Sequence, residues 1–316
     1  MHGRYRETLV LPSLMKVLGE PHAFDAHLRL KVLRCLKHLC MGDAKHLEEL
    51  QRAGAIAHLV GLLRLGPPEH GALWPEMRNH CVNALYLLCK INRSRQEEAA
   101  VAGVLSPLKE IISQGSPLQQ FALPIVCGIA KGLRATSDRR ARAELKAHAG
   151  VPFYLGLLAV VYWQEHALDA LLVWLQHEPA HVAHYMEQPA GLQQLQGVLE
   201  ATPNSASFIN MLEPLHKILY SAPSVNRALG RIVPELGHAP FVRALVRRLQ
   251  HPDALARKRL LSILTLIYER HQAPKQLVER HELEPVLRAI KLSDPGVLVQ
   301  QMASQLHRSF DAHDVL

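Results

Sequence analysis

Aromatic side chains are scarce in this sequence: Phe, Trp and Tyr together make up 5% of 316 residues. Sheet cores draw on aromatic and β-branched side chains, so a core of Leu, Ile, Val and Ala points to helix packed on helix. No run alternates apolar and polar residues between turn signals, and no sheet is expected. No stretch reaches the roughly 18 apolar residues of a membrane span; Val151 to Trp163 comes nearest and is too short. Met1 to Arg6 are polar and charged, with no apolar run of a secretory signal behind them. The five cysteines (Cys35, Cys40, Cys81, Cys89 and Cys127) are odd in number and form no C-x-x-C pair. Each lies in an apolar run, where a reduced thiol packs as a small hydrophobe. The expectation is a soluble chain in the reducing cytoplasm.

Catalytic signatures are missing as well. There is no G-x-G-x-x-G, no G-x-x-x-x-G-K-[ST], no H-R-D, no D-F-G and no G-x-S-x-G. His177-Glu-Pro-Ala-His181 matches the H-E-x-x-H zinc string. That chemistry needs both histidines on one face of a continuous helix, and Pro179 breaks such a helix. A helix starting at Pro179, with His177 outside it, is the better reading. Lys90 to Glu97 is charged enough for a recognition stretch, but Ser94 and Glu97 fit a capping box at a helix start. The twenty histidines show no ligand spacing. No metal, cofactor, catalytic residue or small-molecule substrate is expected.

What the sequence does have is a repeat. A small residue, an aliphatic one and a following apolar pair recur in Gly54–Leu63, Gly103–Ile112, Gly150–Leu158 and Gly191–Leu199. Weaker copies start near Ala239 (Pro240–Val246) and His281 (Leu283–Ile290), and a truncated first copy is Leu11–Leu18. The starts recur at roughly 41 to 49 residues, against roughly 40 to 47 for armadillo and HEAT units. A longer helix with proline near its start follows in each period, at Ser116-Pro117, Pro252-Asp253 and Asp294-Pro295. A short third helix then leads back to the small residue. Three helices per unit with glycine at the sharp turn predict an all-α armadillo-type fold, a right-handed superhelical solenoid of about six to seven three-helix repeats. Residues 1–316 are expected to form one continuous core with an incomplete first repeat (1–40) and loops near 65–72 and 202–207.

Charge is concentrated in one place. Arg227, Arg231, Arg243, Arg247, Arg248, Arg257, Lys258 and Arg259 are opposed between 227 and 259 only by Glu235 and Asp253, in a chain of net charge +8. The block reads as a solvated ridge, as a dock for an acidic protein, or as a contact for nucleic acid or anionic lipid. Phe241 is its one aromatic, which leaves little for bases to stack on. As a docking surface it would use Arg243, Arg247, Arg248, Arg257, Lys258 and Arg259, with protein partners of acidic character.

Five segments carry a family resemblance: Cys81–Glu97 (CVNALYLLCKINRSRQE), Ser116–Cys127 (SPLQQFALPIVC), Leu212–Ile218 (LEPLHKI), Ile267–Val278 (IYERHQAPKQLV) and Val297–Ser304 (VLVQQMAS). They resemble the C-terminal armadillo region of the mitogen-activated protein kinase kinase kinase epsilon class of plants, kin to the septation-initiation kinases of fungi. In that family a Ser/Thr kinase domain precedes the region and the signalling controls cytokinesis. The resemblance implies a regulatory, protein-binding region. No kinase residue carries over, and any kinase activity would belong to a longer protein. Peptide-gripping armadillo proteins align an Asn on each long helix; the corresponding positions here are His38, Leu87, Gly128, Trp174, Ile218 and Leu266, which form no Asn ladder.

Overall fold

Aliphatic residues at helical spacing, punctuated by Asp, Asn, Gly and Pro, give a chain whose every regular element is helical among the described residues. The computed structural model describes residues 2–20, 22–66, 71–132, 134, 137–186, 188–202, 206–225 and 240–312. Part of each expected loop (67–70 and 203–205) lies outside them, as do Arg227, Arg231 and Glu235 of the basic block. The chain divides into two compact units, 1–150 and 151–316.

The first unit holds α1 (His2–Gly19), α2 (Ala26–Cys40), α3 (Ala44–Arg52), α4 (Ala55–Leu65), α5 (Trp74–Cys89), α6 (Arg93–Val101), α7 (Leu105–Ser113), α8 (Gln119–Gly132) and α9 (Arg139–His148). Two complete triplets, α3–α4–α5 and α6–α7–α8, follow the pair α1–α2. The long third helices α2, α5 and α8 pack side by side, each on the next. Asp25, Asp43, Asn92 and Asp138 begin helices by accepting a hydrogen bond from a backbone amide in the first turn. The expected box on Ser94 does not form. Helix α6 starts two residues earlier, with the Asn92 side chain accepting from the Arg95 amide at 3.0 Å. Glu97 accepts instead from the Asp138 amide at the start of the next repeat. Arg95 turns inward, donating to the Leu88 carbonyl at 3.2 Å and to Gln51 Oε1 at 3.1 Å. The charged run from Lys90 to Glu97 is therefore a junction that ties three repeats together.

The second unit holds α10 (Val151–Leu157), α11 (Gln164–His177), α12 (Pro179–Met186), α13 (Pro189–Ala201), α14 (Ala206–Val225), α15 (Pro240–Arg248), α16 (Ala254–Arg270), α17 (Pro274–Arg280), α18 (Leu283–Ser293) and α19 (Val297–Ala312). Here α11, α14, α16 and α19 are the long helices, again each packed on the next. The H-E-x-x-H string breaks as the proline predicts: α11 ends at His177 and α12 opens at Pro179. Trp174, Ile218 and Leu266 are buried, so the register that aligned them with an exposed ladder runs through the core on these helices.

In two repeats of the first unit the turn between the first and second helices is left-handed, whereas Gly150 has no positive φ and Gly191 lies inside α13. Gly54 (φ 76°) and Gly103 (φ 85°) supply the left-handed backbone at little steric expense. In the last repeat the same turn is made by Glu282 at φ 49°, the one positive-φ residue other than glycine among the described residues. A Cβ in this region is disfavoured by about 1 kcal/mol. Glu282→Gly is expected to raise unfolding stability by about that amount in urea titration followed by circular dichroism.

Burial decides the cysteine chemistry. Cys40, Cys81, Cys89 and Cys127 are buried and Cys35 is exposed. Burial pushes the Cys40 and Cys89 thiols up to about 12, and Cys81 is raised by the same cause. They stay protonated at neutral pH and are poor nucleophiles. An aromatic disulfide reagent should modify Cys35 alone in the native protein and all five cysteines after denaturation.

Candidate protein-docking surface

The six basic residues singled out from the sequence do not form one patch. Arg257 is buried against Asp294, with Nε 2.6 Å from Oδ2 and Nη2 2.9 Å from Oδ1. Its Nη1 donates to the carbonyls of His251 (2.6 Å) and Pro252 (2.8 Å). This is the bidentate geometry of a strong guanidinium–carboxylate pair, and it fastens the turn before α16 to the turn before α19. Burial by itself raises the Asp294 carboxyl. The bonds from Arg257 and from the Gly296 amide outweigh it and hold the pKa below the usual carboxylate range.

Arg248 donates to the Thr202 carbonyl and lays its guanidinium over the Phe208 ring, 4.5 Å from the centroid. Arg259 donates to the Ile209 carbonyl at 2.7 Å and pairs with Glu213 at 3.2 Å. Arg248, Arg257 and Arg259 thus join neighbouring repeats, and Arg257 is no part of the surface. Arg243 and Arg247 are exposed and Lys258 is partly so.

Elsewhere in this unit the second helices of successive repeats touch, α10 on α13 and α13 on α15. Between α15 and α18 there is no comparable contact, although their third helices α16 and α19 pack closely. The two second helices therefore splay, and a groove of about 840 Å³ opens between them. Val246, Leu249, Val286 and Ile290 give it apolar walls, Arg247 stands on one rim, and Glu282, Pro285 and Ala289 stand on the other. The end nearest the α17–α18 turn carries both signs, with Glu282 on the groove and Arg243 and Arg280 close enough to act on His281. Burial first, then the charges of Arg280, Arg243 and His271, hold the His281 imidazole below its usual pKa.

Of the six residues expected to form a docking surface, Arg243 and Arg247 are the fully exposed ones, and no sequence pattern pointed to the groove. Its walls come from two repeats whose separation no local pattern encodes. Among the described residues no group of three or more His, Cys, Asp and Glu side chains could hold a metal ion. No described helix is long and apolar enough to cross a membrane.

Successive helix triplets, with long third helices packed each on the next within each unit, define an all-α repeat of the armadillo type. The same fold is seen in UNC-45 from Drosophila melanogaster, with a TM-score of 0.64 at 14% identity over 97% of this chain and 38% of that one. No protein-family model matches. In sequence the chain is similar to one region of MAP3K epsilon protein kinase 1 of Arabidopsis thaliana, 35% identical over 296 residues, covering 91% of this chain and 20% of the kinase. It is similar also to cytokinesis protein sepH of Emericella nidulans (34%, covering 95% of this chain and 22% of that protein). Cell division control protein 7 of Schizosaccharomyces pombe is 24% identical, covering 95% of this chain and 27% of that protein. The chain spans about a fifth of the length of the first two relatives. Since it carries no phosphate-cradling loop and no H-R-D or D-F-G sequence, the shared region is a non-kinase part of these proteins.

Proposed function

We propose that this chain is a non-catalytic docking region in cytokinesis signalling, located in the cytoplasm, and that it binds a protein partner through the α15–α18 groove. The likeness along 91% of the chain to a non-kinase region of MAP3K epsilon protein kinase 1 carries the pathway part of this reading. The groove, with Arg247 on its rim and Arg243 one turn away on the same helix, supports the docking part. Arg243 and Arg247 face solvent, and His281 lies within reach of three further positive or protonatable groups. The partner segment is therefore acidic, and charge would steer its approach and set its salt dependence.

A random peptide library displayed on phage tests this with the whole chain as bait. The enriched sequences should combine Asp or Glu with large aliphatic residues, and their affinity should fall as salt rises. They should fail to enrich on the double variant Arg243→Glu/Arg247→Glu. Enrichment of basic sequences, or of the same sequences on the variant, would overturn the assignment.

A further inference from the structure

The repeat that contains α1 and α2 is built unlike its neighbours. Its buried residues Met15 and Leu18 on α1 correspond to Leu59 and Leu62 on α4 and to Leu108 and Ile111 on α7. Five residues before Met15, Leu59 and Leu108 stand Val10, Gly54 and Gly103. The two glycines make the left-handed turn from first helix to second. Valine, branched at Cβ, is strongly disfavoured in that backbone region, whereas the unbranched Glu282 is tolerated there in the last repeat. The helix therefore runs straight through Val10. Helix α1 is 18 residues long, against 11 for α4 and 9 for α7. The surplus lies before Val10, where His2 to Leu9 are helical. It nearly matches the first helices α3 and α6, which have 9 residues each.

The place of a first helix in this repeat is open. Asp43 and Asn92 cap α3 and α6, so His46 and Glu49 on α3 correspond to Arg95 and Glu98 on α6. Gln51 of α3 accepts from Arg95 Nε at 3.1 Å and donates to Glu98 Oε2 at 2.8 Å. One first helix thus lies against these positions of the next. Against His46 and Glu49 there is instead a cavity of about 470 Å³, walled also by Val10, Leu11, Leu39 and Leu50. The second helix of one repeat touches the first helix of the next at α4 with α6 and at α7 with α9; α1 and α3 make no comparable contact.

We infer that this cavity receives the helix His2–Leu9 of a second copy of the chain, and that two copies exchange these helices reciprocally. Each copy offers one helix and one site, the self-complementary pairing of a twofold dimer. What fills the same place in other repeats identifies the occupant: a short helix with an apolar pair one turn apart. Ala141 and Leu145 are that pair on α9, and Tyr5 and Leu9 have the same spacing in the sequence. The segment is kept from the site of its own chain by Val10, which opposes the turn that would fold it back.

Sedimentation equilibrium of the whole chain over a roughly hundredfold range of concentration reads the exchange. The wild type should rise toward twice its mass of 35.3 kDa. Deletion of residues 2–9 should leave a monomer at every concentration, as should Leu39→Glu in the wall of the site. Val10→Gly permits the turn, so the helix closes on its own site and the dimer should weaken at least about tenfold. Val10→Ala keeps the helix in line and should keep the dimer. Circular dichroism controls for folding; if Leu39→Glu unfolds, Glu49→Lys tests the same wall from a partly exposed position. A wild type that stays at 35.3 kDa throughout, or a dimer that the deletion leaves intact, would overturn the exchange. Equal weakening by Val10→Gly and Val10→Ala would overturn it too, since the turn would then play no part.

Discussion

Arg257→Ala is expected to destabilise the chain by about 3–5 kcal/mol, because it leaves the Asp294 carboxylate buried without its counter-ion. The side chains of the pair are 7% and 5% exposed, so water cannot take the place of the guanidinium. The carbonyls of His251 and Pro252 lose their donor in the same step. Replacing both partners with apolar residues of similar size, Arg257→Met with Asp294→Leu, should recover a large part of the loss, since no charge is then stranded. Urea denaturation followed by circular dichroism measures both. A loss below about 0.5 kcal/mol for the single variant would place Arg257 on the surface instead.

The same pair sets an acid limit. A depressed carboxyl pKa contributes stability that is present in full above the unfolded value of about 3.9. That contribution is lost as the pH falls through the lower folded value. Asp294→Asn, though weaker at neutral pH, should therefore show the shallower decline below about pH 4.

Trp174→Ala is the second large effect, expected to lower stability by about 3–5 kcal/mol. Trp174 is fully buried on α11, and its ring meets that of His181 on α12 with centroids 5.4 Å apart. Truncation opens a cavity where the third helix of one repeat meets the first helix of the next. An exposed ladder position would lose only about 0.5 kcal/mol, so thermal or urea unfolding separates the two placements clearly.

Much of this architecture was legible in the sequence, for identifiable reasons. Gly54 and Gly103 stand where left-handed backbone is required, and Pro179 stops one helix and starts another. The helical spacing of Leu260, Leu261, Leu264 and Tyr268 gives the buried face of α16. That same spacing carried a signal left unused. Position 257 lies three and four residues before Leu260 and Leu261, in phase with the core. An arginine there belongs inside and needs a buried acid, whereas Lys258, one residue on, turns toward solvent. Charge counted along the chain treats the two as equivalent; helical phase does not. Arg95 repeats the case in the first unit, a cation within a polar run that turns inward and is buried. The cap at Asn92 was missed because Ser94 and Glu97 offered a fuller match to a local motif, while Glu97 was needed by Asp138.

The groove had no such local signal. It exists because α15 and α18 separate while α16 and α19 stay packed, a relation between repeats set by side chains distant in sequence. Glu282 lines it, at the turn where two other repeats use Gly54 and Gly103.

The most direct test is the dissociation constant of an acidic peptide, taken from the displayed library, for wild type and for Arg243→Glu/Arg247→Glu. Circular dichroism serves as the control for folding. The account predicts a loss of at least about tenfold at low salt, shrinking as salt rises, with unfolding unchanged. Equal affinity for the two folded proteins at every salt concentration would contradict it.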